Sequence, residues 1–502
     1  MDLLHNLGIG LAVAFTVQNL LAALFGCTVG TLIGVLPGIG SVATIAMLLP
    51  ATYGLDATPA LILLAGVYYG AQYGGSTTAI LINVPGESSS LVTAIDGYQM
   101  ARQGRAGAAL SVAALGSCFA GCVGAVILAA LAPPLTQLAF RFGPAEYFSL
   151  MVLGLIGAVV LASGSLIKSI AMILLGLLLA QINTDAISRT PRFSFDLPQL
   201  GDGISFVIIA IGLFGFGEII ANLGRPAERR EVYARRVEDL WPDSRDLAEA
   251  WPSVLRGTAL GSVLGVLPGG GALLASIASY SVEKKLTRSP RIPFGKGAIQ
   301  GVAGPESANN AGAQTSFIPL LTLGIPSNAA MALIVGAMTV KGIQPGPQVM
   351  TSSPQLFWGL IASMWIGNAM LVVLNLPLVG IWIKLLAVPY RVLFPAVSLL
   401  CCIGVYTLGG SAFDVYLAAL VACVGYLFHK LGCEPAPLLL GFILGPMMEE
   451  NLRHALLLSH GDWGTFVTRP LSSGLLGAAA LLIMIVTLPS IKQQREVAFQ
   501  ED

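Results

Sequence analysis

An eleven-residue motif that interrupts helices occurs twice in this chain, each time within a long apolar stretch. GTLIGVLPGIG at 30–40 returns as GSVLGVLPGGG at 261–271, with seven of the eleven positions identical. Proline removes a backbone donor and glycine permits a positive φ, so a regular helix ends there. Broken backbone at membrane depth is tolerated only inside protein or against a water-filled cavity. The motif therefore predicts two buried helix breaks.

Other motifs recur in the same order. GAQ at 70–72 returns at 312–314, NVPGES at 83–88 has the counterpart GIPSNA at 324–329, and ASGSLIK at 162–168 has the counterpart LGGSAFD at 408–414. The spacing between counterparts stays between 231 and 246 residues. Ordered recurrence at a nearly constant spacing predicts an internal repeat.

The composition places these breaks in a membrane. Of the 502 residues, 55% are hydrophobic and 10% are charged, whereas soluble domains carry about 25% charged residues. So little charge cannot cover a globular surface, which excludes a soluble enzyme and predicts an all-α polytopic membrane protein. The net charge of zero argues against nucleic acid as a partner.

A charged stretch divides the apolar segments, because residues 225–250 hold 13 of the 52 charges. We expect about 12 transmembrane helices and two re-entrant, Gly/Pro-rich helical hairpins. The predicted parts are an N-terminal transmembrane helix (1–29), a first repeat (30–224), a charged cytoplasmic linker (225–253), a second repeat (254–448), and a loop with the final transmembrane helix and a cytoplasmic tail (449–502).

The basic residues predict opposite orientations for the two repeats. The loop after the second motif, 281–297, holds five Lys and Arg, and its counterpart, 50–59, holds none. If each motif forms a re-entrant hairpin and both termini are cytoplasmic, 20 of the 26 basic residues face the cytoplasm. This bias is consistent with two inverted-topology repeats.

The residues around the breaks are expected to bind the substrate. A helix that restarts presents free N–H groups and the positive end of its dipole, which attract an anion without a charged side chain. Serine and asparagine can cap such a helix and also donate to a carboxylate. The candidate substrate-binding residues are Gly38, Gly40, Ser41, Gly86, Ser88, Gly269, Gly271, Ser327 and Asn328.

The stretch PESANNAGAQ (305–314) is the most polar one in the second half. Carboxylate and amide oxygens suit a hard cation, and carbonyls freed just before the prolines can add to them. The candidate coupling-ion ligands are Asn83, Glu306, Asn309, Asn310 and Thr322. No cofactor is expected, and no metal beyond a transported Na⁺.

These patterns also have structural interpretations. Gly and Pro in membrane helices allow close packing and kinks, and the stretch 305–314 also fits a capped loop at a helix start. The alternative to a transporter is therefore a channel-like or scaffold subunit that binds no substrate itself. An intramembrane enzyme would need a nucleophile–base pair or a metal cluster, and neither is evident in the sequence.

Five segments together resemble the large membrane subunit of the tripartite tricarboxylate transporters, the TctA type. They are GTLIGVLPGIG, YYGAQYGGSTTAILINVPGE, DGYQMARQGRAG, GSVLGVLPGGG and PESANNAGAQTSFIPLLTLGIPS. The resemblance runs from about residue 20 to about residue 470. The family's glycine- and proline-rich signatures match at 30–40, 83–87 and 261–271, and its PExANNA pattern matches at 305–311.

The resemblance implies a multi-pass permease of the bacterial inner membrane that imports a carboxylate such as citrate with an ion gradient, commonly sodium. It implies two protein partners, a small four-helix membrane subunit (TctB type) and a periplasmic solute-binding protein (TctC type). The lipid bilayer and the carboxylate are the other expected partners. A homo-oligomer is compatible with the sequence. The absence of an ATP-binding motif favours secondary transport.

Overall fold

The computed structural model describes residues 3–36, 40–161, 165–185, 188–217, 219–220, 240–267, 271–288, 290–385 and 390–487. Helices dominate, and a two-residue antiparallel strand pair joins Asn183–Thr184 to Pro191–Arg192. The helices of the first half are α1 (Leu3–Ala14), α2 (Val17–Val35), α3 (Gly40–Leu48), α4 (Ala57–Ile82), α5 (Leu91–Arg102), α6 (Ala106–Ala139), α7 (Pro144–Leu161), α8 (Leu166–Leu179) and α9 (Phe206–Ala210), which continues as a π-helix over Ile211–Phe216.

The second half follows the linker. Its helices are α10 (Ser244–Leu264), α11 (Gly271–Leu286), α12 (Gln300–Thr315), α13 (Phe317–Leu323), α14 (Ala329–Val340), α15 (Gln348–Ser352), α16 (Pro354–Asn375), α17 (Val379–Leu385), α18 (Tyr390–Gly409), α19 (Ala412–Lys430), α20 (Pro435–Leu458), α21 (Thr465–Thr468) and α22 (Pro470–Thr487). Short 3₁₀ turns lie at Pro50–Gly54, Ser88–Ser90 and Pro198–Leu200.

Long apolar helices indicate a membrane protein. Within the described residues, α2, α6, α16, α19 and α22 are the five helices long and apolar enough to cross a membrane. The expected fold class, a helical membrane protein, is therefore supported at this level. The number of crossings, the hairpins and the domain boundaries stay predictions.

The first apolar segment, predicted as one helix, is divided between α1 and α2. Thr16 Oγ1 and Asn19 Nδ2 both donate to the carbonyl oxygen of Val13, at 3.0 and 2.8 Å. Side chains that occupy a backbone acceptor compete with the helical ladder, which accounts for the break. α2 then continues to Val35, so the first part of the duplicated motif is helical.

Glycines allow α2 and α4 to approach at backbone distance. A Cβ added to Gly30 of α2 would lie 2.5 Å from the carbonyl oxygen of Val67 on α4. Gly26 and Gly34, one turn to either side, face the backbone of α4 at similarly close range. Small residues at a spacing of four are typical of tightly packed membrane helices.

The corresponding helices of the second half pack in the same way. Gly257 and Gly261 of α10 and Gly265, which caps its C-terminus, face the backbone of α12 at Gly304, Ala308 and Gly312. All residues of α12 are buried, including the polar ones, and α4 is buried along nearly its whole length. Burying polar side chains within a membrane protein costs free energy, and such residues are usually functional. The polar residues of α4 and α12 therefore mark the region between these helices as a candidate functional site.

Polar contacts form two separate groups at the surface. One group joins Arg105 and Arg291 to Asp246, at 2.6 and 3.7 Å, and Gln103 to the loop at 296. The other group joins Arg192 to Glu449 at 2.8 Å and Arg469 to Glu146 at 2.6 Å. Each of these contacts links segments that the charge pattern assigns to the same face of the membrane.

Candidate functional site

The first break separates α2 from α3. α3 starts at Gly40, whose φ of +67° suits glycine. The backbone N–H of the buried Ser41 donates to a side-chain oxygen of Glu87. A carboxylate of the protein itself thus occupies a helix N-terminus, where free N–H groups and the dipole favour an anion. Gly38 lies outside the described residues.

Glu87 reaches α3 through the connecting loop 83–88, which starts where α4 ends. We call this loop and its counterpart 324–329 the first and second hairpins, and they are distinct from the re-entrant hairpins predicted at the duplicated motif. Asn83 terminates α4 in the left-handed region, with φ of +55°. Gly86 packs directly against the carbonyl oxygen of Gly34 on α2, which only a residue without a side chain permits. Ser88 then begins the 3₁₀ turn and is exposed. The close approach at Gly86 therefore positions the carboxylate.

The second break separates α10 from α11, which starts at the buried Gly271. A Cβ on Gly271 would lie 3.3 Å from Ser316 Oγ and 3.8 Å from Asn328 Nδ2. Asn328 Oδ1 accepts from the Met331 N–H at 3.0 Å and caps α14, while Nδ2 donates to Tyr68 Oη at 3.2 Å. Within the described residues, no acid accepts a hydrogen bond from the start of α11. Gly269 also lies outside them.

The two breaks contact each other's hairpins. α3 of the first half packs against α14 of the second, and the turn at 88–90 packs against α11. The Tyr68–Asn328 hydrogen bond joins α4 to the second hairpin. Each restarted helix thus lies against the segment that follows the other half's hairpin.

A second polar cluster forms around the buried Glu306 of α12. Its carboxylate accepts hydrogen bonds from the hydroxyls of Ser76 on α4 and Thr93 on α5. Asn310, one turn further along α12, donates to Ser117 Oγ at 2.7 Å and to the Glu306 carbonyl at 3.1 Å. The cluster therefore joins both halves through side chains.

The other predicted cation ligands lie in different surroundings. Both amide atoms of the buried Asn309 are without a hydrogen-bond partner among the residues that the structure describes. Thr322 Oγ1 donates to the Ile318 carbonyl of its own helix at 2.7 Å, and Asn83 is exposed. Within the described hydrogen bonds, neither Thr322 nor Asn83 contacts Glu306. These assignments stay predictions.

Comparison with known proteins decides the family. The model of the "Tripartite tricarboxylate transporter TctA family" matches residues 20–440. The chain belongs to this family. Membership makes it a transporter component of a tripartite system with other subunits, as the resemblance of the sequence motifs predicted.

Two relatives of this TctA family member come from Agrobacterium vitis. The "Uncharacterized 52.8 kDa protein in TAR-I ttuC' 3'region" is 56% identical over 502 residues and is matched over 100% of both chains. The "Uncharacterized protein in TAR-II ttuC' 3'region" is 60% identical over 242 residues, which is 48% of this chain and 100% of the relative. No solved structure matches the chain.

Several residues of this candidate site were not predicted from the sequence. Ser41 was predicted to meet a ligand carboxylate, and the structure shows Glu87 in that position. Thr93 was also missed, because its partner Glu306 lies far away in the sequence. Ser316 was missed although its partner Asn328 belongs to the loop that follows the next helix. One signal was available for Glu87: it is the only acid in the hairpin 83–88, whose counterpart carries an asparagine.

Proposed function

We propose that this chain is the permease subunit of a binding-protein-dependent secondary transporter that imports a di- or tricarboxylate similar to citrate. The observation that carries the proposal is the Glu87 carboxylate at the N-terminus of α3. A helix N-terminus that holds one carboxylate on the Ser41 N–H, together with a second helix start flanked by the neutral donors Ser316 and Asn328, suits a substrate with several carboxylates.

The proposed substrate contacts are the backbone at Gly38, Gly40, Gly86, Gly269 and Gly271 and the residues Ser41, Ser88, Ser327 and Asn328. A substrate carboxylate at α3 would displace Glu87. At α11 it would meet the side-chain amide of Asn328 and the hydroxyl of Ser316. Alternating access between two inverted repeats would then expose this site to each face of the membrane in turn.

The import is proposed to be coupled to a sodium or proton gradient, with ligands among Asn83, Glu306, Asn309, Asn310 and Thr322. The chain would lie in the bacterial inner membrane with both termini in the cytoplasm. The ion pairs support the predicted grouping of the loops by face, because each pair joins segments assigned to one face. The proposed partners are the small membrane subunit and the periplasmic binding protein.

Uptake of a panel of radiolabelled carboxylates into proteoliposomes tests the proposal. The vesicles contain this chain with its small membrane subunit, and binding protein is added outside, with the sodium and pH gradients varied independently. We expect accumulation against the substrate gradient that requires an ion gradient and the binding protein. Equilibration without accumulation would favour a channel, and accumulation driven by ATP alone would contradict secondary transport.

A further inference from the structure

Glu306 differs from other buried acids in the described part of the chain. Glu283 pairs with Arg256 at 2.6 Å, and Asp96 accepts backbone N–H groups of Gly297 and Ala298 at 2.8 and 2.9 Å. Glu306 is fully buried, and no Lys or Arg among the described residues forms an ion pair with it. A buried carboxylate with two hydroxyl donors is under-compensated unless it binds a proton or a metal cation.

A small cavity lies next to this carboxylate, between α4, α6 and α16. Its polar lining consists of Tyr73, Ser76 and Thr77 of α4, Ser117 of α6 and Asn375 of α16, and apolar side chains of α6 complete it. Ser76 lines the cavity and also donates to Glu306. The Ser76 hydroxyl thus lies between the Glu306 carboxylate and the cavity.

Three of the four lining hydroxyls donate to other acceptors, and the fourth, Ser117 Oγ, accepts from Asn310 Nδ2 at 2.7 Å. Tyr73 donates to Asn368 Oδ1 at 2.9 Å, Thr77 donates to the Tyr73 carbonyl, and Ser76 donates to Glu306. Each oxygen keeps a free lone pair after such a bond. The cavity is therefore lined mainly by acceptors.

Asn375 supplies an unpaired acceptor. Its Nδ2 donates to the Leu371 carbonyl at 3.0 Å and to Thr31 Oγ1 at 3.4 Å. Its Oδ1 has no partner among the described residues, although Asn375 is only 3% exposed. A buried polar atom without a partner calls for a bound water or ion. A water could donate only two hydrogen bonds and would leave the charge of Glu306 without compensation.

We propose that this cavity binds Na⁺, with oxygens of Ser76, Thr77, Ser117 and Asn375 as ligands and the Glu306 carboxylate as the counter-charge. Hydroxyl and amide oxygens are the donors that a hard cation prefers. The role of this Na⁺ rests on the proposed transport function. The ion would join helices of both halves, so its binding would be coupled to the movement of the halves relative to each other. Thr77, Ser117 and Asn375 are new to the site.

Binding of radiolabelled Na⁺ to the purified full-length chain tests the site. Choline replaces sodium at constant ionic strength and fixed pH, and wild type is compared with Glu306→Gln and Asn375→Ala. We expect saturable binding, with the half-saturating Na⁺ concentration raised at least about tenfold in both variants, as for the loss of groups around other metal ions. Glu249→Gln is the matched control. Glu249 accepts only from Gln300 among the described contacts, at 3.1 Å, and it is not among the cavity-lining residues. We expect this variant to bind Na⁺ like wild type.

Two results would overturn the site. One is unchanged Na⁺ affinity in both variants. The other is a wild-type chain that binds no Na⁺ but whose melting temperature changes with pH through Glu306 alone. This second result would assign a proton, and not Na⁺, to the Glu306 carboxylate. Because Asn375→Ala retains the acidic residue, it keeps the test valid if Glu306→Gln folds poorly. Na⁺ binding without carboxylate uptake in vesicles would contradict the transport proposal and leave the site intact.

Discussion

The hairpins of the two halves align in sequence but differ in charge. Residues 83–88 carry Glu87, and the counterpart 324–329 carries Asn328 at the same place. Both hairpins follow a helix that ends in a left-handed residue, Asn83 with φ of +55° and Gly324 with φ of +76°. Glu87 extends to α3, whereas Asn328 caps its own helix α14. One N-terminus is therefore occupied by a carboxylate of the protein, and the other is flanked by neutral donors.

The hairpins also differ in exposure. Asn83 and Ser88 are exposed, whereas Gly324 and Ser327 are buried. The cover over Gly324 comes from the segment 341–353, because a Cβ on Gly324 would lie 2.7 Å from the carbonyl oxygen of Pro345. In the first half, α6 begins directly after the link 103–105. If the two repeats are inverted, burying the first hairpin and exposing the second would open the site to the opposite face of the membrane.

The largest expected effect comes from giving the first hairpin a side chain of the second. Gly86→Ser copies Ser327, but its Cβ would overlap the carbonyl oxygen of Gly34 and lie 2.7 Å from Gly75 Cα. We expect a loss of stability of about 3 kcal/mol, at the upper end for overpacking, measured as a lower melting temperature. Gly8→Ser, with no atom within 4 Å of the added Cβ, is the control. A Gly86→Ser variant as stable as wild type would show that the hairpins are sterically equivalent.

A smaller effect is expected from making the two hairpins alike in charge. Asn328→Glu would place a carboxylate beside the start of α11, as Glu87 lies beside α3, and would compete with the substrate. Because a hydrogen bond to a charged group contributes about 1.5–3 kcal/mol, we expect uptake to fall about tenfold or more at low substrate concentration. Asn328→Gln has the same length without the charge, and an equal loss in both variants would contradict the electrostatic explanation.

The smallest effect is expected at the residues that end the helices. Asn83→Gly keeps a residue that tolerates a positive φ at an exposed site, so its stability should stay within about 0.5 kcal/mol of wild type. Gly324→Ala should lose about 1 kcal/mol or more, because alanine is strained at this φ and its Cβ meets Pro345. Thermal unfolding of both variants measures the difference in stability. Equal losses of stability would mean that the segment 341–353 does not constrain Gly324.

Much of the fold followed from the sequence because the patterns are local. The apolar segments, the helix breaks at the two motifs and the asparagine cap at Asn328 depend on backbone and side-chain properties within a few residues. The division of the first apolar segment at Thr16 was missed because two side chains compete there for one carbonyl group, which hydropathy does not record.

The sequence by itself determined that this chain is a helical membrane protein with duplicated breaks, since composition and the Gly/Pro positions act wherever the chain runs. Only the tertiary structure decided that Glu87 meets Ser41 and that Glu306 meets Ser76 and Thr93. These partners lie far apart in the chain, and close packing of glycine faces brings them together. Contact between distant residues depends on how helices cross, which local preference does not specify.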